Sequence, residues 1–277
     1  MAATNQAAEG LAEGLAEGLI DTHCHLDFPD YQADLEQVVG RAAQAGVRQM
    51  ISVGIDLATS RKAVELAGQW PGVYATVGVH PHHVKEIGAD DYRALQELAG
   101  HPRVVAYGEI GLDYVKEYSP AALQREHFAR QVEIARQLAL PLIIHDREAH
   151  ADTLAILRAA GELPAGGVMH CFSGDAALAQ EVLALGFYIS IPGVVTFKSA
   201  AGLAEAVRQV PLERLLLETD APFLAPVPLR GKRNEPAYLT HIAAKVAELK
   251  GCEPAEVARQ TTANARHLFA LPEAGAC

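Results

Sequence analysis

Short apolar runs rich in β-branched residues recur along this chain, each followed by a longer stretch whose apolar residues fall at helical spacing. The runs cover residues 19–25, 49–53, 73–79, 104–110, 142–145, 168–172, 187–191 and 215–219. The helical stretches cover 34–45, 58–69, 91–99, 120–138, 149–160, 176–185, 200–209 and 238–249, with 254–269 as an extra C-terminal helix. Runs such as Leu-Ile-Ile (142–144) and Leu-Leu-Leu (215–217) lack polar alternation, the pattern of a parallel sheet covered on both faces. Eight such units over about 250 residues predict an α/β fold, a (β/α)8 TIM barrel, rather than two doubly wound sheets. No Gly-x-Gly-x-x-Gly follows a strand and no Walker loop is present, which removes the main support for a nucleotide-cofactor sheet. Residues 1–17 carry Ala-Glu-Gly-Leu repeats with too much glycine to hold an isolated helix, so a flexible tail is expected before one barrel domain at 18–277.

Composition narrows the picture. Hydrophobic residues make up 50% and charged residues 21%, and no apolar run approaches the roughly 20 residues needed to cross a bilayer. The net charge of -11 repels a long polyanion taken as a whole, so any nucleic-acid contact must be local. Bound divalent cations would reverse the sign where it matters. Cys24, Cys171, Cys252 and Cys277 are widely spaced with no Cys-x-x-Cys, and no signal-like apolar core follows the N-terminus. A cytoplasmic protein with reduced thiols is expected, with no membrane association.

The chemistry gathers at the C-terminal ends of the predicted strands. His23 and His25 end the first, His80 follows the third, Glu109 lies on the fourth, His145 ends the fifth, His170 lies in the sixth, and Glu218 and Asp220 end the eighth. In a barrel these ends converge on one mouth. Residues i and i+2 of a strand share a face, so His23 and His25 both point into the mouth while Cys24 points toward the helices. Neutral imidazoles and carboxylates suit Zn, Mn, Fe, Co, Ni or Mg. Of these, the four histidines His23, His25, His145 and His170 and the two carboxylates Glu109 and Asp220 exceed the needs of one tetrahedral ion, and two ions sharing a carboxylate account for the number. Such a pair, about 4 Å apart, clamps the attacking and leaving oxygens of a phosphodiester and acidifies water. Asp220 then both binds a metal and accepts the proton. Each residue alone has a structural reading as well, as a hydrogen-bonded barrel histidine or a turn cap; the combination carries the inference. His82 and His83 are expected to be solvated, and His101, His127, His150, His241 and His267 structural or on the surface. The basic loop containing Arg230, Lys232 and Arg233 is a candidate phosphate clamp.

Six ordered motifs together resemble the TatD family of metal-dependent deoxyribonucleases among the amidohydrolase-like barrels. They are Asp21-Thr-His-Cys-His-Leu-Asp, Gly78-Val-His-Pro-His, Gly108-Glu-Ile-Gly-Leu-Asp-Tyr, Pro141-Leu-Ile-Ile-His, His170-Cys-Phe-Ser-Gly and Glu218-Thr-Asp-Ala-Pro-Phe-Leu. The resemblance runs from Leu19 to about Phe269 and implies two divalent metals and hydrolysis of DNA phosphodiesters, often from an exposed 3′ end, on single strands or ends. It gives His23, His25 and Asp220 to one metal, His145 and His170 to the other, and Glu109 to both, with His80 facing substrate phosphate and Glu218 orienting a ligand. Asp146 stands where many relatives have serine. A monomer acting on DNA is expected. Two other readings compete: a hydrolase of carbonyl esters or amides such as aminoacyl esters, and a metal-dependent binding protein without catalysis. A carboxylated lysine bridges the metals of many amidohydrolase barrels, whereas Glu109 occupies that strand here, which favours the nuclease.

Overall fold

The computed structural model describes residues 18–273; the expected N-terminal tail lies outside them. Eight strands run in sequence order around one sheet: β1 (Leu19–Cys24), β2 (Val47–Ser52), β3 (Val73–Val77), β4 (Val104–Asp113), β5 (Leu142–Arg147), β6 (Gly167–Met169), β7 (Tyr188–Ile191) and β8 (Leu215–Leu217). Every neighbouring pair is parallel. The ring closes just beyond β8, where the Asp220 amide donates to the His23 carbonyl at 2.9 Å and the His25 amide to the Ala221 carbonyl at 2.8 Å. Helices α1 (Leu35–Gln44), α2 (Leu57–Gln69), α3 (Ala89–Ala99), α4 (Ala121–Leu138), α5 (His150–Ala159), α6 (Ala176–Ala184), α7 (Ala201–Gln209) and α8 (Leu239–Lys250) follow their strands, and α9 (Pro254–Phe269) ends the fold. This is the (β/α)8 barrel expected from the apolar pattern, with the extra helix in place. Among the described residues no helix is long and apolar enough to cross a membrane.

Burial sorts the strands into two layers. Between sheet and helices lie residues such as Cys24, Met50, Tyr107, Ile144 and Leu217. Inside the barrel, Ile20, Ile51, Tyr74, Ala106, Ile143, Val168, Tyr188 and Leu216 meet Ala265, Leu268 and Phe269 of α9. The last helix therefore closes the N-terminal end of the barrel, which eight short strands leave open. It is pinned there by Thr262, whose hydroxyl donates to the Gly18 carbonyl at 3.1 Å, and by Asn264, whose amide donates to the carbonyls of Leu212 and Leu215 at 2.8 Å each. The pleat then places the next inward residue one layer up: His145 follows Ile143, His170 follows Val168, and Glu218 follows Leu216. An apolar floor thus supports a polar mouth.

Strand ends differ from the sequence pattern where the mouth begins. Strands β6 and β8 end at Met169 and Leu217, short of the runs 168–172 and 215–219; single bonds continue from the His170 amide to the Ile144 carbonyl and from the Glu218 amide to the Ile191 carbonyl, and Cys171 (φ 44°) and Asp220 (φ 54°) take left-handed backbone. In contrast, β4 and β5 stay paired as far as Asp113 and Arg147. Gly111, at φ 144°, permits that pairing: a Cβ there would stand 1.9 Å from the His145 carbonyl oxygen.

Candidate metal centre

Two irregularities aim the central side chains. Between Asp21, paired with Met50, and Cys24, paired with Ser52, β1 holds one residue more than β2. Between Tyr107, paired with Leu142, and Ile110, paired with Ile144, β4 holds one more than β5. Bulges of this kind turn a side chain out of the regular alternation. In β1, Thr22 faces inward, donating to the Leu217 carbonyl at 2.9 Å, yet His23 also joins the interior and Cys24 packs outside. In β4, Ala106 faces inward, but Glu109 rather than Ile110 enters the mouth.

Glu109 is the hub. Its Oε1 lies 2.8 Å from His145 Nδ1, 2.8 Å from His170 Nε2 and 3.4 Å from His80 Nε2, and its Oε2 lies 3.4 Å from His23 Nε2. On one side, His23 Nε2 and His25 Nε2 stand 3.4 Å apart, with Asp220 Oδ1 3.5 Å from His25 and 3.9 Å from His23. On the other, His145 Nδ1 and His170 Nε2 are also 3.4 Å apart. Donor atoms within 4.8 Å of one another form three overlapping sets: His23, His25 and Asp220; His23, Glu109 and His170; and His80, Glu109 and His145. These make two candidate metal-binding clusters joined through Glu109. The donor chemistry fits divalent cations, because imidazole lone pairs facing each other at such separations repel unless a proton or a cation stands between them.

Charges around the cluster are strongly coupled. Burial alone would raise Glu109, but His170, His80 and His145 outweigh it and hold the carboxyl well below its usual range. Burial would lower His170, but Glu109 and Glu218 raise it well above the usual imidazole range. Burial, reinforced by His145 and His82 against the pull of Glu109, drives His80 down to about 3. Asp220 is lowered despite burial by His25 and His23, so its carboxylate is ionised.

Around these groups stand residues that fix their orientation. His25 Nδ1 donates to the Val53 carbonyl at 3.2 Å, which leaves Nε2 free to face the cluster. Glu218, wholly buried, accepts from the Cys171 amide at 2.6 Å and lies 3.4 Å behind His170 Nδ1. Asp113, not singled out from sequence, is also wholly buried; its Oδ2 lies 3.4 Å from His145 Nε2 and 2.8 Å from His82 Nε2. His82 is therefore not a solvated loop residue as expected but the partner of a buried carboxylate. The available signal was parity, since Asp113 stands four residues beyond Glu109 in the same strand. Asp21 ties β1 to the exit of β8 by accepting from the Thr219 amide at 2.9 Å and hydroxyl at 2.6 Å, and burial raises its pKa to about 7. Asp146 accepts from the Ala149 amide at 3.3 Å and pairs with His150 Nδ1 at 3.0 Å, at the start of α5.

A cavity of about 610 Å³ opens over the cluster, lined by His25, His80, Glu109, His145, His170 and Asp220 together with Phe28, Phe223, Lys116 and Arg147. Arg230, Lys232 and Arg233 do not line it. Arg233 is engaged elsewhere, donating to both carboxylate oxygens of Asp34 at 2.7 Å, and the Arg230 guanidinium lies 4.4 Å from the Phe197 ring. The lysine and arginine side chains lining the cavity are Lys116 and Arg147, whereas in the loop read from sequence as a phosphate clamp Arg230 and Arg233 are engaged by the protein's own groups.

Known proteins resemble this chain over nearly its whole length. The family model described as TatD related DNase matches residues 20–270. The uncharacterized metal-dependent hydrolase YabD of Bacillus subtilis is 44% identical over 91% of this chain and 98% of its own length. The 3′-5′ ssDNA/RNA exonuclease TatD of Klebsiella pneumoniae is 40% identical over 91% of this chain and 97% of its own. The crystal structure of YjjV, a TatD homolog from Escherichia coli, superposes with a TM-score of 0.88 at 33% identity, covering 92% of this chain and 98% of that one. With a matched barrel, near-complete coverage and a donor cluster built around Glu109, the chain belongs to the TatD-related DNase family.

Proposed function

We propose that this metal-dependent hydrolase is a 3′–5′ exonuclease that removes nucleotides from unpaired DNA ends, acting as a monomer with two divalent cations. The observation that carries the reading is Glu109, whose two carboxylate oxygens face different clusters: Oε1 toward His145 and His170, Oε2 toward His23. His23, His25 and Asp220 would hold one cation, His145 and His170 the other, and Glu109 both. Bound there, Mg, Mn, Zn, Co, Ni or Fe supplies Lewis-acid polarisation of a phosphoryl oxygen and acidifies water at neutral pH. Asp220, kept ionised by His25 and His23, accepts the proton of the attacking water. His80, kept neutral and lining the cavity, donates a hydrogen bond to the phosphate. The polarity is supported by the 40% identical relative from Klebsiella pneumoniae, whose name assigns it a 3′-5′ ssDNA/RNA exonuclease activity.

The test is a metal-supplemented panel of 3′-ended single-stranded DNA, duplex DNA, RNA and an aminoacyl ester. Single-stranded DNA is expected to be shortened from its 3′ end. Asp220→Ala and Glu109→Ala should each lower the rate by at least about a hundredfold while retaining a cooperative melt, the scale of a lost general base. Full activity in either purified variant, or turnover of the ester with all nucleic acids left intact, would overturn the assignment.

A further inference from the structure

The mouth of the barrel is bordered by exposed apolar side chains that the metal chemistry does not use. Among the described residues the exposed large hydrophobics are Val115, Tyr118, Phe223, Leu224 and Val227. All five lie on two loops at the C-terminal face, one after β4 and one after β8. In a ring of eight strands in sequence order, β4 and β8 stand opposite each other. Two apolar lips therefore face one another across the metal centre.

Each lip carries one aromatic ring held in a defined place. Phe223 is 48% exposed and lines the cavity. The edge of Phe28 supports it at 5.6 Å; the Phe223 backbone amide donates to the Asp220 carbonyl at 2.9 Å, and the Phe223 carbonyl accepts from the Asn234 side-chain Nδ2. Tyr118 is 56% exposed, with its ring 4.7 Å from that of His82, which the buried Asp113 anchors. A free flat ring on a fixed backbone suits a planar partner, and nucleobases stack on such rings whatever their sequence. The charge balance points the same way: in a chain of net charge -11, Lys116 and Arg147 are the lysine and arginine side chains lining the cavity, so beyond the phosphate held at the metal centre a strand finds few ionic partners.

Resting on the exonuclease reading, we propose that Phe223 and Tyr118 are two base-stacking platforms that hold an unpaired 3′ strand across the mouth. The terminal base lies on Phe223, three residues from Asp220, and a base further upstream lies on Tyr118. A base inside a duplex is stacked on both faces and its strand is held by its complement, so two platforms that engage separate bases of one strand favour unpaired ends.

The experiment compares kcat/KM on a single-stranded oligonucleotide carrying a normal 3′-terminal nucleotide with that on one whose terminal nucleotide is abasic. The unaltered enzyme should favour the normal end by about tenfold or more, the scale of one base–aromatic stack. Phe223→Ala should bring that ratio close to one and Phe223→Trp should preserve it. Tyr118→Ala should leave the terminal ratio in place and erase the preference for a base at an upstream position. For any variant too slow to time, a 3′-terminal 2-aminopurine behind a phosphorothioate linkage gives the same answer, since stacking quenches its fluorescence on binding. An unchanged ratio, or unchanged quenching, in Phe223→Ala would overturn the platforms while leaving DNA cleavage by the unaltered enzyme, and so the exonuclease reading, intact. A chain that cleaves no DNA with any of the metals would overturn both. A lip that instead buries against another protein would show the unchanged ratio.

Discussion

A neutral imidazole offers a cation only the nitrogen that carries no proton, and here that choice is made one step behind the cluster. His25 gives its Nδ1 proton to the Val53 carbonyl, and His145 turns Nε2 toward Asp113 and Nδ1 toward Glu109. Asp113 is itself fixed by the amides of Val115 at 2.9 Å and Lys116 at 2.8 Å, which supports its charge in a buried place. Asp113→Asn should therefore weaken metal binding by about 10- to 100-fold, read by chelator competition with no substrate present. Equal affinity in the variant and the parent would remove Asp113 from the site. Legibility at this scale followed chemistry. His23, His25, Glu109, His145, His170 and Asp220 stood out as polar groups at the ends of apolar strands, and the structure brings them together. Asp113 did not stand out, because without β4 running on to residue 113 it reads as a loop aspartate, and His82 lost its meaning with it.

Elements explain why inward side chains could be listed from sequence more easily than aimed. Simple alternation from Ala106 would turn Ile110 inward; the bulge at Gly108 and Glu109 reverses this, and a one-residue change in pairing is invisible in a single sequence. The loop after β8 carries the same lesson for charge. Its arginines read as a free basic cluster, but Arg233 binds Asp34, and Glu235 accepts from Arg41 at 2.6 Å, so the loop is fastened to α1 and the turn before it. Partners so distant in sequence are beyond pattern reading. The fastening has a pH signature. Hydrogen bonds from Arg233, then Arg41, lower Asp34 from 3.8 to about 2. A carboxyl with a lowered folded pKa contributes stability that is complete above its unfolded value and disappears as pH falls through its folded value. The urea midpoint of the parent should exceed that of Asp34→Asn at neutral pH, and the gap should close between pH 3.8 and about 2. A gap that stays constant to the acid limit would show that the ion pair is not its source.

At the scale of the whole molecule, the net charge of -11 and the proposed nucleic-acid substrate stand opposed until the cavity is taken separately from the surface. The fold concentrates what attraction it has at one mouth: cation-binding donors at the centre, Lys116 and Arg147 on the wall, and apolar lips on either side. An enzyme that tracks a strand along a basic groove neutralises many phosphates, and its affinity falls by about 10³- to 10⁵-fold between about 50 and about 200 mM salt. Here Lys116 and Arg147 are the lysine and arginine side chains that line the cavity, and on the proposed reading each phosphate they neutralise on a single strand contributes a slope of about -0.7 to the log–log plot. At fixed free metal, kcat/KM on a single-stranded oligonucleotide should therefore fall only about sevenfold over that salt range, with a slope near about -1.4. Lys116→Ala and Arg147→Ala should each flatten the slope by about 0.7. A thousandfold fall in the parent would reveal an extended cationic track outside the cavity and would return the basic loop after β8 to consideration as its carrier.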